Sequence, residues 1–198
     1  DYDDPVVQSR LCYEVCRKHN KPVIVMEPVK GGSLANLPES VAKVFKAAEP
    51  DSSIASWALR YAASLDGLIT VLSGMSTVDQ MKDNLSVMKG FTKLNDHQME
   101  VIEEAKKALA AVPSIPCTSC EYCMKGCPQG IPIPHIFSAV NTYKIYNNLA
   151  GAKGSYGFAT RGKAKASECI ACGQCEAVCP QHISVIDELK AAAELLEE

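Results

Sequence analysis

The chain has no apolar run that approaches the length of a membrane span, which excludes a transmembrane helix as its organising element. It also lacks an excess of either charge. Its 20 Lys and Arg against 23 Asp and Glu leave a net charge of −3 over 198 residues, so no global attraction to nucleic acid or to an anionic membrane is expected. Its start lacks the order of basic, apolar and small residues that marks a secretory leader, so a disulfide framework is not the expected use of its cysteines. Only two of the ten cysteines fall outside two short stretches. That usage places the chain in a reducing, cytoplasmic compartment. The first residue is Asp1, and the chain is expected to begin inside a larger protein. The length allows one or two domains, and 47% apolar residues are enough for an ordinary core.

What is present in quantity is a repeated cysteine spacing. The first run is Cys117-Thr-Ser-Cys120-Glu-Tyr-Cys123-Met-Lys-Gly-Cys127-Pro128, and the second is Cys169-Ile-Ala-Cys172-Gly-Gln-Cys175-Glu-Ala-Val-Cys179-Pro180. Two-residue gaps let one turn of backbone aim three thiolates at three irons of a cubane. Each run resembles the C-x2-C-x2-C-x3-C-P spacing with which bacterial ferredoxins hold [4Fe–4S] clusters. In two-cluster ferredoxins the fourth cysteine of a run ligates the other cluster. The resemblance therefore implies one set of Cys117, Cys120, Cys123 and Cys179, and a second of Cys127, Cys169, Cys172 and Cys175. Structural zinc favours paired C-x2-C units and has no use for the third and fourth cysteines at this spacing.

Upstream of the runs the pattern alternates between strand and helix. A helix is expected over 5–19, with Val6, Val7, Leu11 and Val15 near helical spacing and Cys12 and Cys16 one turn apart as small core residues. Val23 to Met26 reads as a strand buried on both faces, followed by a Pro28 and Gly31-Gly32 loop. Two helices follow, the first entered at Pro38 with Val41, Val44, Phe45 and Ala48 on one face, the second carrying Trp57 and Tyr61 as packing residues. Leu68 to Leu72 is a second short strand, which makes a strand–helix–strand crossover. Gly74 and Ser76 then feed a helix whose Thr77 and Gln80 spell a capping box and whose Val78, Met81, Leu85 and Met88 form an apolar stripe expected to be buried. A glycine turn at a helix N-terminus is suited to an anion, although Gln80 can be occupied by capping alone. A last amphipathic helix is expected over 96–112.

Between the runs, Pro132 and Pro134 lead into a helix through Phe137, Val140 and Tyr143. Gly151, Gly154 and Gly157, with Lys153, Arg161, Lys163 and Lys165, read as a flexible basic stretch that is either a solvated loop or a dock for an acidic redox partner. His19, His97, His135 and His182 are expected at helix ends or on the surface. A closing helix is expected through Ile186 and Leu189.

The segments Met26-Glu-Pro-Val-Lys-Gly-Gly-Ser-Leu34, Leu72-Ser-Gly-Met-Ser76 and Gln80-x-x-Asp83-Asn84, followed by the two cysteine runs, resemble the aldo-keto reductase family. Within it, the chain is similar to members with a C-terminal ferredoxin-like extension. The resemblance implies an α/β segment, residues 1–112, made of the last strands and helices of a (β/α)8 TIM barrel. An α-helical, ferredoxin-like domain for two [4Fe–4S] clusters follows over residues 113–198. It further implies NAD(P)H, with Pro28, Val29, Lys30, Gly31 and Gly32 along the pyrophosphate and Gly74, Ser76, Gln80, Asp83 and Asn84 around the adenosine, the choice between NAD and NADP staying open. The family's catalytic Asp, Tyr, Lys and His lie on earlier strands. No His or Tyr here matches those motifs, so no catalytic residue is assigned and the segment alone is expected to be inactive. The implied partners are the missing N-terminal half of the barrel, a small carbonyl substrate, and a ferredoxin or flavoprotein redox partner. Nucleic acid and membrane are not among them.

The resulting expectation is an NAD(P)H-dependent oxidoreductase with an appended electron-transfer module. Nicotinamide gives up two electrons together, whereas each cluster accepts one, and no flavin site is visible to split the pair. Two other readings stay open at this stage: a structural or redox-sensing staple, or a ferredoxin-type carrier without catalysis of its own.

Overall fold

The computed structural model describes residue 2 and residues 7–197. The chain divides into two compact units, Asp1–Ala35 with Val41–Lys106 and Asn36–Ser40 with Lys107–Glu198. In the first unit the order is α1 (Ser9–Lys18), β1 (Val23–Met26), α2 (Glu39–Ala48), α3 (Ile54–Ala63), β2 (Leu68–Leu72), α4 (Val78–Met88) and α5 (Asp96–Ala110). The two strands are parallel neighbours, with Ile24 opposite Thr70 and Met26 opposite Leu72, and a bulge between Val23 and Ile24. A parallel pair cannot be joined by a tight turn, and the crossover here runs through α2 and α3.

The core of this unit is formed by Val41 and Phe45 on α2, Trp57, Leu59 and Ala62 on α3, and Val101, Ile102 and Ala105 on α5. Phe45 and Trp57 are tilted rings 5.1 Å apart, and the Arg60 guanidinium lies 4.5 Å above the Trp57 ring. Arg60 also makes two hydrogen bonds to Glu49, at 3.1 and 2.7 Å. Glu49 accepts two further hydrogen bonds, from the Ser52 hydroxyl at 2.6 Å and the Gln98 amide at 2.7 Å, so one carboxylate ties α2, α3 and α5. Partial burial works to raise the Glu49 pKa. The hydrogen bonds from Arg60, Ser52 and Gln98 and the Arg60 charge outweigh that and hold it at about 2. The stability this carboxylate contributes is therefore present above its unfolded value near 4.5 and is lost as the pH falls through that value towards 2. Glu49→Gln should cost about 1.5–3 kcal/mol, the range for hydrogen bonds to a charged group. It should also flatten the acid limb of denaturation curves followed by Trp57 fluorescence, which is specific because Trp57 is the only tryptophan in the chain.

Several amphipathic stripes in this unit are not buried. Val7, Leu11 and Val15 are each more than half exposed, and α1 has no buried residue, with Cys12 exposed and Cys16 half-buried. The expected start of that helix at Pro5 and Val6 lies outside the described residues. Met26 is 71% exposed and Ile69 64%, so neither strand is covered on both faces. Val78, Met81, Leu85 and Met88 on α4 are exposed as well, and α4 buries nothing. Periodicity records which face seeks an apolar neighbour. A two-stranded sheet has too little surface to provide one.

The second unit is helical. It contains α6 (Tyr122–Lys125), α7 (Ile133–Tyr146), α8 (Leu149–Ala159), a 3-10 turn over Ala166–Glu168, α9 (Gln174–Ala177) and α10 (Val185–Leu196). Pro134 in the first turn of α7 needs no N–H there, and Asn147, in the left-handed region at φ 51°, ends that helix. The glycine-rich stretch expected to be a flexible loop is instead the helix α8. The Asn148 side chain accepts from the Gly151 N–H at 2.9 Å and caps it. A Cβ at Gly151 would meet the Asn148 amide at 2.6 Å, so a larger residue there would displace the cap. Ala152 and Tyr156 turn inward to a core that includes Ile131, Ile133, Phe137, Val140 and Leu189. None of the helices among the described residues is long and apolar enough to cross a membrane.

Candidate metal centre

The two cysteine runs fold alike. Shifting the numbering so that Cys117 falls on Cys169 also lays α6 on α9 and α7 on α10. It aligns the left-handed residues Ser119 (φ 55°) with Ala171 (φ 53°), Glu121 (62°) with Gly173 (76°), and Gly130 (66°) with His182 (51°). After each terminal cysteine the chain makes the same turn: Gly130 N–H donates to Cys127 O and His182 N–H to Cys179 O, both at 3.1 Å. Ile131 and Ile183 then enter the core, followed by Ile133 and Val185. Successive left-handed and right-handed residues turn backbone N–H groups toward a common centre, an arrangement suited to anionic sulfur.

This repetition builds two cavities. One, open to solvent at its mouth, is lined by Cys117, Cys120 and Cys123 of the first run together with Cys179 of the second. The other, likewise open, is lined by Cys169, Cys172 and Cys175 together with Cys127. The walls exchange in the same way: Ile183 and Val185 close the first cavity, Ile131 and Ile133 the second, and Ile133 faces both. Cys120 and Cys172 are the exposed members of their sets, Cys175 is buried, and the other five are half-buried.

Four thiols around an apolar void fit a cubane cluster. Among the described residues no three His, Cys, Asp or Glu side chains converge closely enough to hold a single metal ion. Thiolates on one zinc, at about 2.3 Å, would stand only about 3.8 Å apart. Here the four cysteines of each set line one cavity. Burial raises the pKa of Cys117, Cys123 and Cys175, that of Cys123 to about 11. Cys120 and Cys179 push Cys117 further in that direction, which places the sulfur borrowed from the other run within electrostatic reach. Without a metal these thiols keep their protons, and ligation must displace them.

Both runs are anchored just ahead of their first cysteine, a feature no sequence motif announces. The Asn141 side chain on α7 accepts from Ile115 N–H at 2.8 Å and donates to Ile115 O at 2.9 Å. Ahead of Cys169, Glu197 accepts from Ser167 N–H at 3.0 Å, from the Ser167 hydroxyl at 2.6 Å and from the Tyr156 hydroxyl at 2.5 Å. The Tyr156 oxygen in turn accepts from Ala166 N–H at 2.9 Å. Burial, with the carboxylate beside it, pushes the Tyr156 pKa up; the hydrogen bonds from Ser167 and Tyr156 hold Glu197 below its usual range despite partial burial.

In the first unit, β1 and β2 are parallel, so the loops that follow them leave from the same end of the sheet. The first loop has Lys30, Gly31 and Gly32 at φ 50°, 59° and 89°, and no atom lies within 4 Å of where a Cβ would stand on Gly31, Gly32 or Gly74. The side chains of the second loop are engaged internally. Gln80 Oε1 accepts from Ser76 N–H at 2.8 Å and Thr77 N–H at 3.3 Å, completing the capping box. Asp83 accepts from the Ser53 hydroxyl at 2.6 Å, and Asn84 donates to Ser73 Oγ at 3.0 Å. Pro28 and Val29 lie within the first loop, where Gly32 N–H donates to Val29 O at 3.0 Å.

A strand–helix–strand unit is joined to a helical unit with two four-cysteine cavities, and the family matches of these two parts together point to an oxidoreductase with iron–sulfur electron transfer. The model of the Aldo/keto reductase family matches residues 4–107, and the chain belongs to that family. The 4Fe-4S dicluster domain matches residues 116–183. No curated protein and no solved structure matches the chain.

Proposed function

We propose that the chain is the C-terminal part of an NAD(P)H-dependent aldo-keto reductase whose second unit holds two [4Fe–4S] clusters for electron transfer. The observation that carries this reading is the pair of four-cysteine cavities, each completed by the other run, in a chain whose first unit belongs to a reductase family. The clusters, when bound, supply one-electron transfer. The chain's own residues supply eight thiolates, the apolar walls that shield them, and Cys120 and Cys172 at the two exposed rims.

The uncovered apolar residues of β1, β2 and α4 support a further part of the reading. They are the surface that the remaining strands and helices of a (β/α)8 barrel would cover, and the catalytic groups lie on that upstream half. Gly31, Gly32 and Gly74, with open space above them, offer backbone to a pyrophosphate. Gln80, Asp83 and Asn84 each commit one polar atom to the loop or to Ser53, the cap of α3, and so fix the loop shape that a nucleotide would meet.

The test is anaerobic addition of NADH or NADPH to the intact, cluster-loaded protein while its visible absorbance is followed. Bleaching is the expected outcome; unchanged absorbance defeats direct coupling. Gly32→Val, which forces a β-branched residue into φ 89°, should weaken nucleotide binding by roughly tenfold or more, about 1.4 kcal/mol. The structural-staple reading has one observation in its favour, that Cys175 belongs to the buried core of the second unit and five other cysteines border it. It requires that nucleotide never reduce the loaded protein.

A further inference from the structure

The two cysteine runs repeat each other, but the side chains that pin them do not. The interval that lays Cys117 on Cys169 lays Asn141 on Ala193 and Ile145 on Glu197. Unrelated side chains nevertheless reach the same kind of contact. Cys117 N–H donates to Ile115 O at 2.8 Å, and Ile115 is the residue held on both its N–H and its carbonyl by Asn141. Cys169 N–H donates to Ala166 O at 3.2 Å. Ala166 N–H donates in turn to the Tyr156 oxygen at 2.9 Å, and the Tyr156 hydroxyl donates to Glu197 at 2.5 Å. A chain of hydrogen bonds thus runs from Glu197 through Tyr156 and Ala166 to the first ligand of the second run. Ile115 and Ala166 are buried, whereas residues 161–165 ahead of Ala166 are exposed or half-buried. The anchor is where that outer segment becomes fixed before it reaches Cys169.

We infer that Glu197 is a positioning residue for the second cluster, holding the turn over Ala166–Glu168 so that Cys169 stays aimed into its cavity, and that Asn141 does the same for Cys117 and the first. This rests on the cluster-binding reading given above. Partners behind a metal ligand fix its orientation, and a ligand whose backbone is held spends less time away from iron. The link from Ala166 to Tyr156 is buried, so a partner lost there leaves a buried polar group unsatisfied. Glu197 adds two bonds to Ser167, one to its N–H and one to its hydroxyl, two residues ahead of Cys169. The two anchors act on different runs, although both cavities share the wall residue Ile133. Loss of one anchor therefore frees one cluster ahead of the other.

The experiment is anaerobic chelation of the loaded full chain, with samples taken at intervals, reduced with dithionite and read by EPR. It compares the unmodified protein with Glu197→Ala, Glu197→Gln, Tyr156→Phe and Asn141→Ala. Iron content is measured first, and Cys169→Ala and Cys120→Ala identify the two signals. In Glu197→Ala the signal of the Cys169 set should decay roughly tenfold faster, on the scale of losing hydrogen bonds to a charged group, while that of the Cys117 set keeps its initial rate. Asn141→Ala should do the reverse. Glu197→Gln keeps an acceptor for Tyr156 and for Ser167 N–H and offers a donor to the Ser167 hydroxyl, so it should behave as the unmodified protein. Tyr156→Phe keeps the buried ring and removes only the hydroxyl, so it should speed the Cys169 signal even if the alanine variant does not fold. The inference is overturned if Glu197→Ala or Tyr156→Phe speeds both signals equally, which would make the network a general brace, or if neither signal changes. It is also overturned if Glu197→Gln decays like the alanine variant, which would assign the effect to charge. Absence of iron from the unmodified protein would instead overturn the cluster-binding reading itself.

Discussion

Cys127→Ala should abolish the cluster whose other three ligands begin at Cys169 and spare the one beginning at Cys117. Iron should fall from about eight to about four per chain, the count for one [4Fe–4S] cluster. The reason is the cavity lining: Cys127 shares its cavity with Cys169, Cys172 and Cys175, while Cys117, Cys120 and Cys123 share theirs with Cys179. The sharper form of the experiment is a matching of spectra. Cys127→Ala and Cys169→Ala should leave the same residual EPR signal, and Cys179→Ala and Cys120→Ala should leave the other. If each run instead filled its own cluster, Cys127→Ala would match Cys120→Ala. A double variant, Cys127→Ala with Cys179→Ala, should hold no intact cluster even though three cysteines of each run remain.

The second large effect is expected from iron itself. Anaerobic chelation should unfold most of the second unit and leave the first in place. The walls of both cavities are the hydrophobic core of that unit: Ile131, Ile133, Phe137, Ile183, Val185 and Leu189 are each no more than 8% exposed. Emptying the cavities turns this surface to water, and ligand binding that exists only in the folded state is folding free energy. A loss of about 4 kcal/mol would lower the transition of a domain this size by roughly 16–32 °C. Far-UV circular dichroism should therefore lose the share of α7 to α10, while Trp57, packed on Phe45 under Arg60 in the first unit, should keep its emission. Retention of full helicity after chelation would show a core that stands without metal, and would remove the case for a structural staple.

The two sites were not equally legible in the sequence. Ligand spacing is a local property, written within each run from Cys117 to Cys127 and from Cys169 to Cys179, and the fourth ligand was reachable only through a rule about how such runs pair. The strand–helix–strand order and the Thr77 capping box were likewise readable, because both depend on neighbours a few residues apart. Burial was not. Val78, Met81, Leu85 and Met88 are spaced for a core face and stand in solvent, since spacing says nothing about whether an opposing surface is present. Glycine at 151, 154 and 157 implied a loop, yet the Asn148 cap and the inward Ala152 and Tyr156 hold a helix. The contacts of Glu197 with Ser167 and Tyr156, and of Asn141 with Ile115, join residues 26 to 41 positions apart and had no pattern to betray them.

The exchange of a single cysteine between the runs also bears on how the protein matures. Each half offers three sulfurs to its own cavity and one to its neighbour's, so filling either site orders backbone that the other needs. Ordering contributed by the first cluster need not be supplied again by the second, which makes loading cooperative. Under limiting iron the population should divide into empty and full chains with few half-loaded ones. A cell making this protein then accumulates fewer damaged carriers than chance filling of eight ligands would give.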